Sequence, residues 1–246
     1  MALPKINHPI SEVFLQSLGR NVKYRPFLVK EEKLLMIAKE SQDKNDIKNA
    51  IMQVLQNCCL EEGLDVNQLP LFDVEMFFVH LRIKSVGESA KLSFTCENVI
   101  EPGSETVAPS VCGHITDYTL DLSKVKYDIP EDHSPIVQLT PTVGIKLKYP
   151  TISIMDAEFD SEYAAIMKIM LDNVEYIYDE NSVYKRDTIS DEELASFFEE
   201  LNIDQIAQIR NFFNITPRAV LDDQIKCEKC GFEHKIHVGD LNSFFT

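Results

Sequence analysis

Apolar positions between residues 29 and 87 recur at helical spacing, whereas the middle and the end of the chain alternate as strands do. In "VKEEKLLMIAKES", Leu34, Leu35, Ile37 and Ala38 are assigned to a helical face. In "DKNDIKNAIMQVLQNCCL", Ile47, Ile51, Val54, Leu55 and Cys58 repeat at helical steps. Asp43 ahead of the second block, with Asp46 in its first turn, predicts a capped start, and the two blocks predict a helical hairpin. A third helix is expected in "LFDVEMFFVHLRIKSVG". Its Phe72, Met76, Phe77, Val79, Leu81 and Ile83 are too many for one stripe, so burial on most sides is expected, with His80 at the edge.

Alternation takes over in "SAKLSFTC", ending at Cys96, and returns in "CGHITDYTLDLSKVKYDIP" and "TVGIKLKYPT"; the loop "ENVIEPGSETVAPSV" separates the first two. Before Val29, the turn formers Pro4, Pro9, Gly19 and Pro26 predict an extended arm with a short strand near "NVKYRPF". After Pro150 helices return: a long one in "DAEFDSEYAAIMKIMLDNVEYIYD", a shorter one in "SDEELASFFEELN" opened by a capping box of Ser190 and Glu193, and a last one in "DQIAQIRNFFNI" ahead of Pro217. The expected fold class is α+β, mostly helical, with a small β part. The expected divisions are an arm over 1–28, a helical region over 29–88, a β region over 89–150, an acidic helical region over 151–222, and a closing segment over 223–246 packed with 89–122.

Composition adds limits. With 246 residues, 44% hydrophobic and 26% charged, the chain can bury one large core or two smaller ones, which excludes disorder throughout. A net charge of −16 argues against binding driven by nucleic-acid phosphates or an anionic membrane surface. The N-terminus lacks the apolar core of a secretory signal, and no apolar run approaches the roughly 20 residues that span a bilayer. A cytoplasmic location follows as an expectation, and with it six cysteines that are thiols or metal ligands rather than disulfides. Residues 156–204 hold fifteen Asp and Glu against three Lys and Arg, so −12 of the −16 resides there. Such runs are commonly solvated helix faces; the sharper reading is an acidic face that steers a basic partner.

The cysteines carry the candidate chemistry. Cys112 precedes "GHITDYTLDL" and Cys230 precedes "GFEHKIHVGDL": a Cys-Gly step, an alternating strand, then Asp-Leu nine or ten residues on. Each has an earlier cysteine at a strand end, Cys96 and Cys227. Two such knuckles supply four thiolates, the set a structural Zn²⁺ takes tetrahedrally. The candidate metal ligands are therefore Cys96, Cys112, Cys227 and Cys230, although fifteen residues separate the first pair and two the second. Unmetallated thiols with a coincidental CxxC are the plainer alternative. A redox pair fits less well, because that chemistry places CxxC at a helix N-terminus. His114, His234 and His237 are possible substitute ligands, although His234 and His237, three apart on a strand, face opposite sides. Cys58 and Cys59, adjacent on a helix, read as apolar filler.

No nucleophile elbow, phosphate loop, dinucleotide fingerprint or HExxH motif is present, which argues against an enzyme. Several stretches together resemble a family. "KYRPFLVKEEKLLMIAKES", a helix ending "NCCL", "LPLFDVEMFFVHLRIKSVGE", "CGHITDYTLDLSKVKY" and "CEKCGFEHKIHVGDLNSFF" are similar to the baseplate hub proteins of T-even-like contractile-tailed bacteriophages, over residues 23–245. The resemblance implies a hub subunit or a chaperone-like hub assembly factor, acting through other phage baseplate or tail proteins. It implies no catalytic residues, small-molecule substrate or membrane partner, and places the chain in the host cytoplasm during assembly or in the virion baseplate. The alternative is a zinc-ribbon adaptor in nucleic-acid transactions, with Lys226, Lys229 and Lys235 as its modest basic strip. Phe244 and Phe245 are expected either to pack on the helices or to form a handle for a partner.

Overall fold

The computed structural model describes residues 6–102, 110–156 and 161–239. In chain order the elements are β1 (Ser11–Leu15), β2 (Arg20–Tyr24), α1 (Val29–Ser41), α2 (Lys44–Cys58), α3 (Leu71–Ser85), β3 (Ser89–Thr95), β4 (Val99–Glu101), β5 (Ser110–Val111), β6 (Ile115–Asp121) and β7 (Lys126–Asp128). There follow β8 (Ile136–Gln138), β9 (Gly144–Leu147), α4 (Glu162–Asp172), β10 (Val174–Tyr178), β11 (Val183–Lys185), α5 (Asp191–Glu199), α6 (Ile203–Asn214), β12 (Arg218–Lys226) and β13 (Glu233–Val238). Helix accounts for about 39% and strand for 30%, with thirteen strands in five small sheets among the described residues, so the expectation of a mostly helical chain is corrected. The physical reason lies in short strands that no period betrays. "VEYIY", read as the end of one long helix, is β10: α4 stops at Asp172, and after Asn173 the β-branched and aromatic side chains of Val174–Tyr178 take the chain into a sheet.

Two units divide the chain. One comprises residues 1–64, 75–127 and 219–246. Within the segment expected as an arm, β1 and β2 pair antiparallel, Ser11 opposite Tyr24, and bury Val13, Leu15, Val22 and Tyr24. Each side chain of this kind contributes about 1.5–3 kcal/mol when fully buried. Tyr24 meets Phe77 of α3 edge-on at 5.4 Å and donates its hydroxyl to the carbonyl of His80 at 3.2 Å. Asp43 caps α2 by accepting from the N–H groups of Asn45 and Asp46. On α1 the buried stripe is Glu31, Leu35 and Ala38, and Ile37 is turned outward at 55% exposure. A carboxylate therefore holds a core position. It does so because Arg25 meets it at 3.0 Å and the Leu28 N–H donates to it at 2.8 Å.

The other unit comprises residues 65–74 and 128–218. Its antiparallel sheet runs β11-β10-β9-β8. Ile145, Leu147, Val174 and Ile177 from the strands share a core with Met170 of α4, Leu194 and Phe198 of α5, and Ile209 and Phe212 of α6. Both later helices open on reciprocal caps, Ser190 with Glu193 and Asn202 with Gln205. No helix among the described residues is long and apolar enough to cross a membrane.

Candidate metal centre

The second knuckle turns the β12–β13 hairpin, which pairs from Leu221 opposite Val238 to Lys226 opposite Glu233. Beyond that last pair, the Cys227 N–H donates to the Phe232 carbonyl and the Gly231 N–H to the Cys227 carbonyl, each at 2.9 Å. The fold-back passes through Gly231 at φ 74°, a left-handed conformation that a Cβ disfavours. Backbone N–H groups then aim at the sulfurs. The N–H of Phe232 holds the Cys230 thiol down to about 7, and the N–H of Cys230, ahead of that of Lys229, lowers that of Cys227.

The first knuckle repeats this frame at the end of the β3–β6 hairpin, which pairs from Ser89 opposite Asp121 to Thr95 opposite Ile115. The Cys96 N–H donates to the His114 carbonyl at 2.8 Å, the Gly113 N–H donates to the Cys96 carbonyl at 2.9 Å, and Gly113 sits at φ 61°. Cys96 thus matches Cys227, Cys112 matches Cys230, and Gly113 matches Gly231. The long spacing is absorbed by a ribbon: β4 pairs with β5, and the Cys112 N–H donates to the Asn98 carbonyl at 2.8 Å. Removing the ribbon from the text leaves Cys96-Glu97-Asn98 then Cys112-Gly113, beside Cys227-Glu228-Lys229-Cys230-Gly231.

The four sulfurs lie within 4.8 Å of one another. Tetrahedral bonds of about 2.3 Å to a central ion place sulfurs roughly 3.8 Å apart. The Cys96–Cys230 and Cys112–Cys227 separations are 3.6 and 3.8 Å, which fit that geometry and far exceed a disulfide. Both of these pairs join one knuckle to the other. Cys96, Cys112 and Cys227 are buried, and Cys230 is the most accessible of the set. Burial pushes the Cys96 thiol up to about 12. The Cys112 thiol is also raised: the His114 N–H favours its thiolate, but burial and the thiols of Cys230 and Cys227 outweigh it. Four thiolates this close repel, so a cation at their centre is what would let all four ionise together. The residues fit a divalent metal with no open position for a water.

A surrounding layer crosses between the knuckles in matched fashion. The Asn98 amide approaches Cys230 Sγ at 3.7 Å, and Lys229 Nζ donates to the Cys112 carbonyl at 3.3 Å. Asn98 and Lys229 occupy the same place in the two motifs. Composition gives no sign of this contact; the shared Cys-Glu-x is the signal that finds it. His234 Nε2 is 3.0 Å from Cys96 Sγ, its ring held between Phe94 and Phe232 with centroids 4.8 and 4.7 Å away. His237 instead pairs through Nδ1 with Asp222 at 2.8 Å, and His114 offers its backbone carbonyl. Cys58 lies apart, beside Arg25 Nη1 at 3.6 Å, and burial pushes its thiol up to about 11, as suits an inert buried thiol.

Paired knuckles of this kind gather four cysteines from distant chain segments into one cluster. The chain belongs to the T4 bacteriophage base plate protein family, whose model matches residues 8–246. No curated protein and no solved structure matches it. A T4-like phage baseplate protein makes its contacts with other baseplate proteins, which agrees with a structural or assembly role.

Proposed function

We propose that the chain serves the baseplate hub, as a subunit or as a chaperone-like factor in hub assembly, through protein contacts and without catalysis. It acts in the host cytoplasm during assembly and, if retained, in the virion baseplate. A structural Zn²⁺ held by Cys96, Cys112, Cys227 and Cys230 clasps the middle of the chain to its end. The observation that carries this reading is the closed four-sulfur cluster in a baseplate-family chain: it is built for holding strand ends together and leaves no ligand position for chemistry. When bound, zinc supplies cross-linking free energy rather than a reaction.

Metal analysis of the purified protein should find about one zinc per chain. Phage carrying Cys227→Ser with Cys230→Ser should lose hub formation, seen by electron microscopy of lysates. Normal baseplates from that variant would refute the clasp's role. Mass spectrometry of finished particles beside assembly intermediates separates a retained subunit, present in both, from a factor present only in intermediates.

A further inference from the structure

We propose that a groove in the unit of residues 65–74 and 128–218 docks a cationic, apolar-anchored segment of a partner protein; this rests on the reading of the chain as one that works through protein contacts. The groove, about 400 Å³, lies between the β10–β11 hairpin and α5, with Ile177, Ile189, Leu194 and Phe197 among its apolar lining. That volume receives one or two large side chains. At its mouth stand Tyr178 and Tyr184, and β11 forms the sheet edge with Val183 60% and Tyr184 45% exposed. Apolar surface of this kind at a sheet edge is where segments of other chains attach.

Charge selects the occupant. Among the described residues the lining includes two carboxylates, Asp179 and Glu193, and no Lys or Arg. Both are fixed in place as anions. Asp179 accepts from the N–H groups of Asn181 and Ser182, with Tyr184 Oη at 2.9 Å, and Glu193 accepts from the N–H of Ser190. Around them, residues 179–193 hold six acidic side chains against Lys185 and Arg186, and Arg186 already contacts Asp191. An apolar floor under a fixed negative rim favours a segment whose anchor is aliphatic or aromatic and whose flanks are Lys or Arg, and it rejects acidic segments by the same charges.

The test uses the isotope-labelled full chain and three synthetic peptides, acetyl-KLKFKLK-amide, acetyl-ELEFELE-amide and acetyl-KSKSKSK-amide, followed by amide chemical-shift mapping. The first peptide should shift residues 177–197 and weaken as salt rises, with the other two at least about tenfold weaker. Tyr184→Lys, an exposed change that adds a cation at the mouth, should reduce binding about tenfold, and Glu193→Gln, which keeps the cap while removing a charge, about threefold. Circular dichroism of both variants confirms folding. The proposal is overturned by an absence of shifts over 177–197 at millimolar peptide, by equal binding of the acidic peptide, or by wild-type binding in a folded Tyr184→Lys variant. Such a result, with hub formation still lost in the cysteine variant, removes the groove and leaves the assembly reading standing.

Discussion

The two knuckles pose opposite problems for the chain. Cys227 and Cys230 are brought together by two intervening residues, whereas Cys96 and Cys112 must be gathered across fifteen. Both nevertheless end an antiparallel hairpin, both make the same pair of backbone hydrogen bonds within 0.1 Å of each other, and both turn through a glycine in the left-handed region. What a thiolate pair needs, then, is the hairpin end and the Cys-Gly step; the chain between the cysteines is free to grow so long as it returns as a ribbon.

The largest break in this equivalence comes from its cysteines. Cys96→Ser and Cys227→Ser should each remove the metal and cost at least about 5 kcal/mol, since a structural zinc site contributes its binding energy to folding. Equal losses in urea denaturation, reproduced in the wild type by a chelator, are expected from two matched knuckles. A much milder Cys96→Ser would show that the first knuckle is a passenger.

Next in size are the glycines. Gly113→Ala and Gly231→Ala should each cost about 1–2 kcal/mol, because the penalty is the left-handed backbone rather than a clash. Nothing lies within 4 Å of a Cβ added at Gly113, and only Lys226 Cε, at 4.0 Å, near one added at Gly231. Asn, which tolerates this conformation, should recover about half at either site. Matching urea midpoints for the two alanine variants check the equivalence.

The knuckles part company four residues past the second cysteine. There β13 has His234, 3.0 Å from Cys96 Sγ, and β6 has Thr116, whose buried hydroxyl finds no partner among the described residues. A ring nitrogen donating to a ligating thiolate stabilises its charge from outside the metal's own ligands. His234→Phe keeps the packing between Phe94 and Phe232 and should weaken metal affinity about tenfold. The cobalt-substituted absorption should keep four-thiolate intensity. A fall to three-thiolate intensity would make His234 a ligand and displace a cysteine.

The two hairpins are also tied away from the sulfurs. Asp223 of β12 accepts from the Tyr118 hydroxyl of β6, from the Gln224 N–H and from Lys124, which hold its carboxyl down to about 2 from 3.8. A folded value below the unfolded one stabilises the protein above about pH 4 and is lost as pH falls toward 2. Asp223→Asn should therefore flatten the decline of the urea midpoint between pH 4 and 2 while leaving neutral-pH metal content unchanged. An identical acid limb in the variant would place the sensitivity elsewhere.

How much of this was legible depended on whether a signal was local. The Cys-Gly, alternating strand and Asp-Leu grammar is local, so the four cysteines could be grouped from the text alone, as could the caps at Asp43 and Ser190. The return of residues 110–112 to Asn98 is not local: it depends on β4–β5 pairing, and three- and two-residue strands have no readable period. The same limit hid β10 inside an apparent helix. On α1, the bare apolar pattern favoured Ile37, while the real core stripe includes Glu31, made tolerable by Arg25 from another segment. Phe244 and Phe245 lie outside the described residues.

The smallest expected effect is the most discriminating. Excising residues 99–111 joins Asn98 to Cys112 and writes Cys-Glu-Asn-Cys-Gly where the second knuckle has Cys-Glu-Lys-Cys-Gly. If the ribbon only carries the chain out and back, the variant should bind the same complement of metal with the same cobalt spectrum. Its stability should be unchanged or higher by less than about 2 kcal/mol, because shortening a loop relieves only a logarithmic closure cost. Loss of metal would mean that β4 and β5 set the position of Cys112 and that the backbone match is a consequence of the ribbon. With the metal retained, the half-exposed Val99, Ile100 and Val111 of the ribbon have no part in the clasp, and an assembly defect in phage carrying the excision would assign residues 99–111 a role separate from holding the metal.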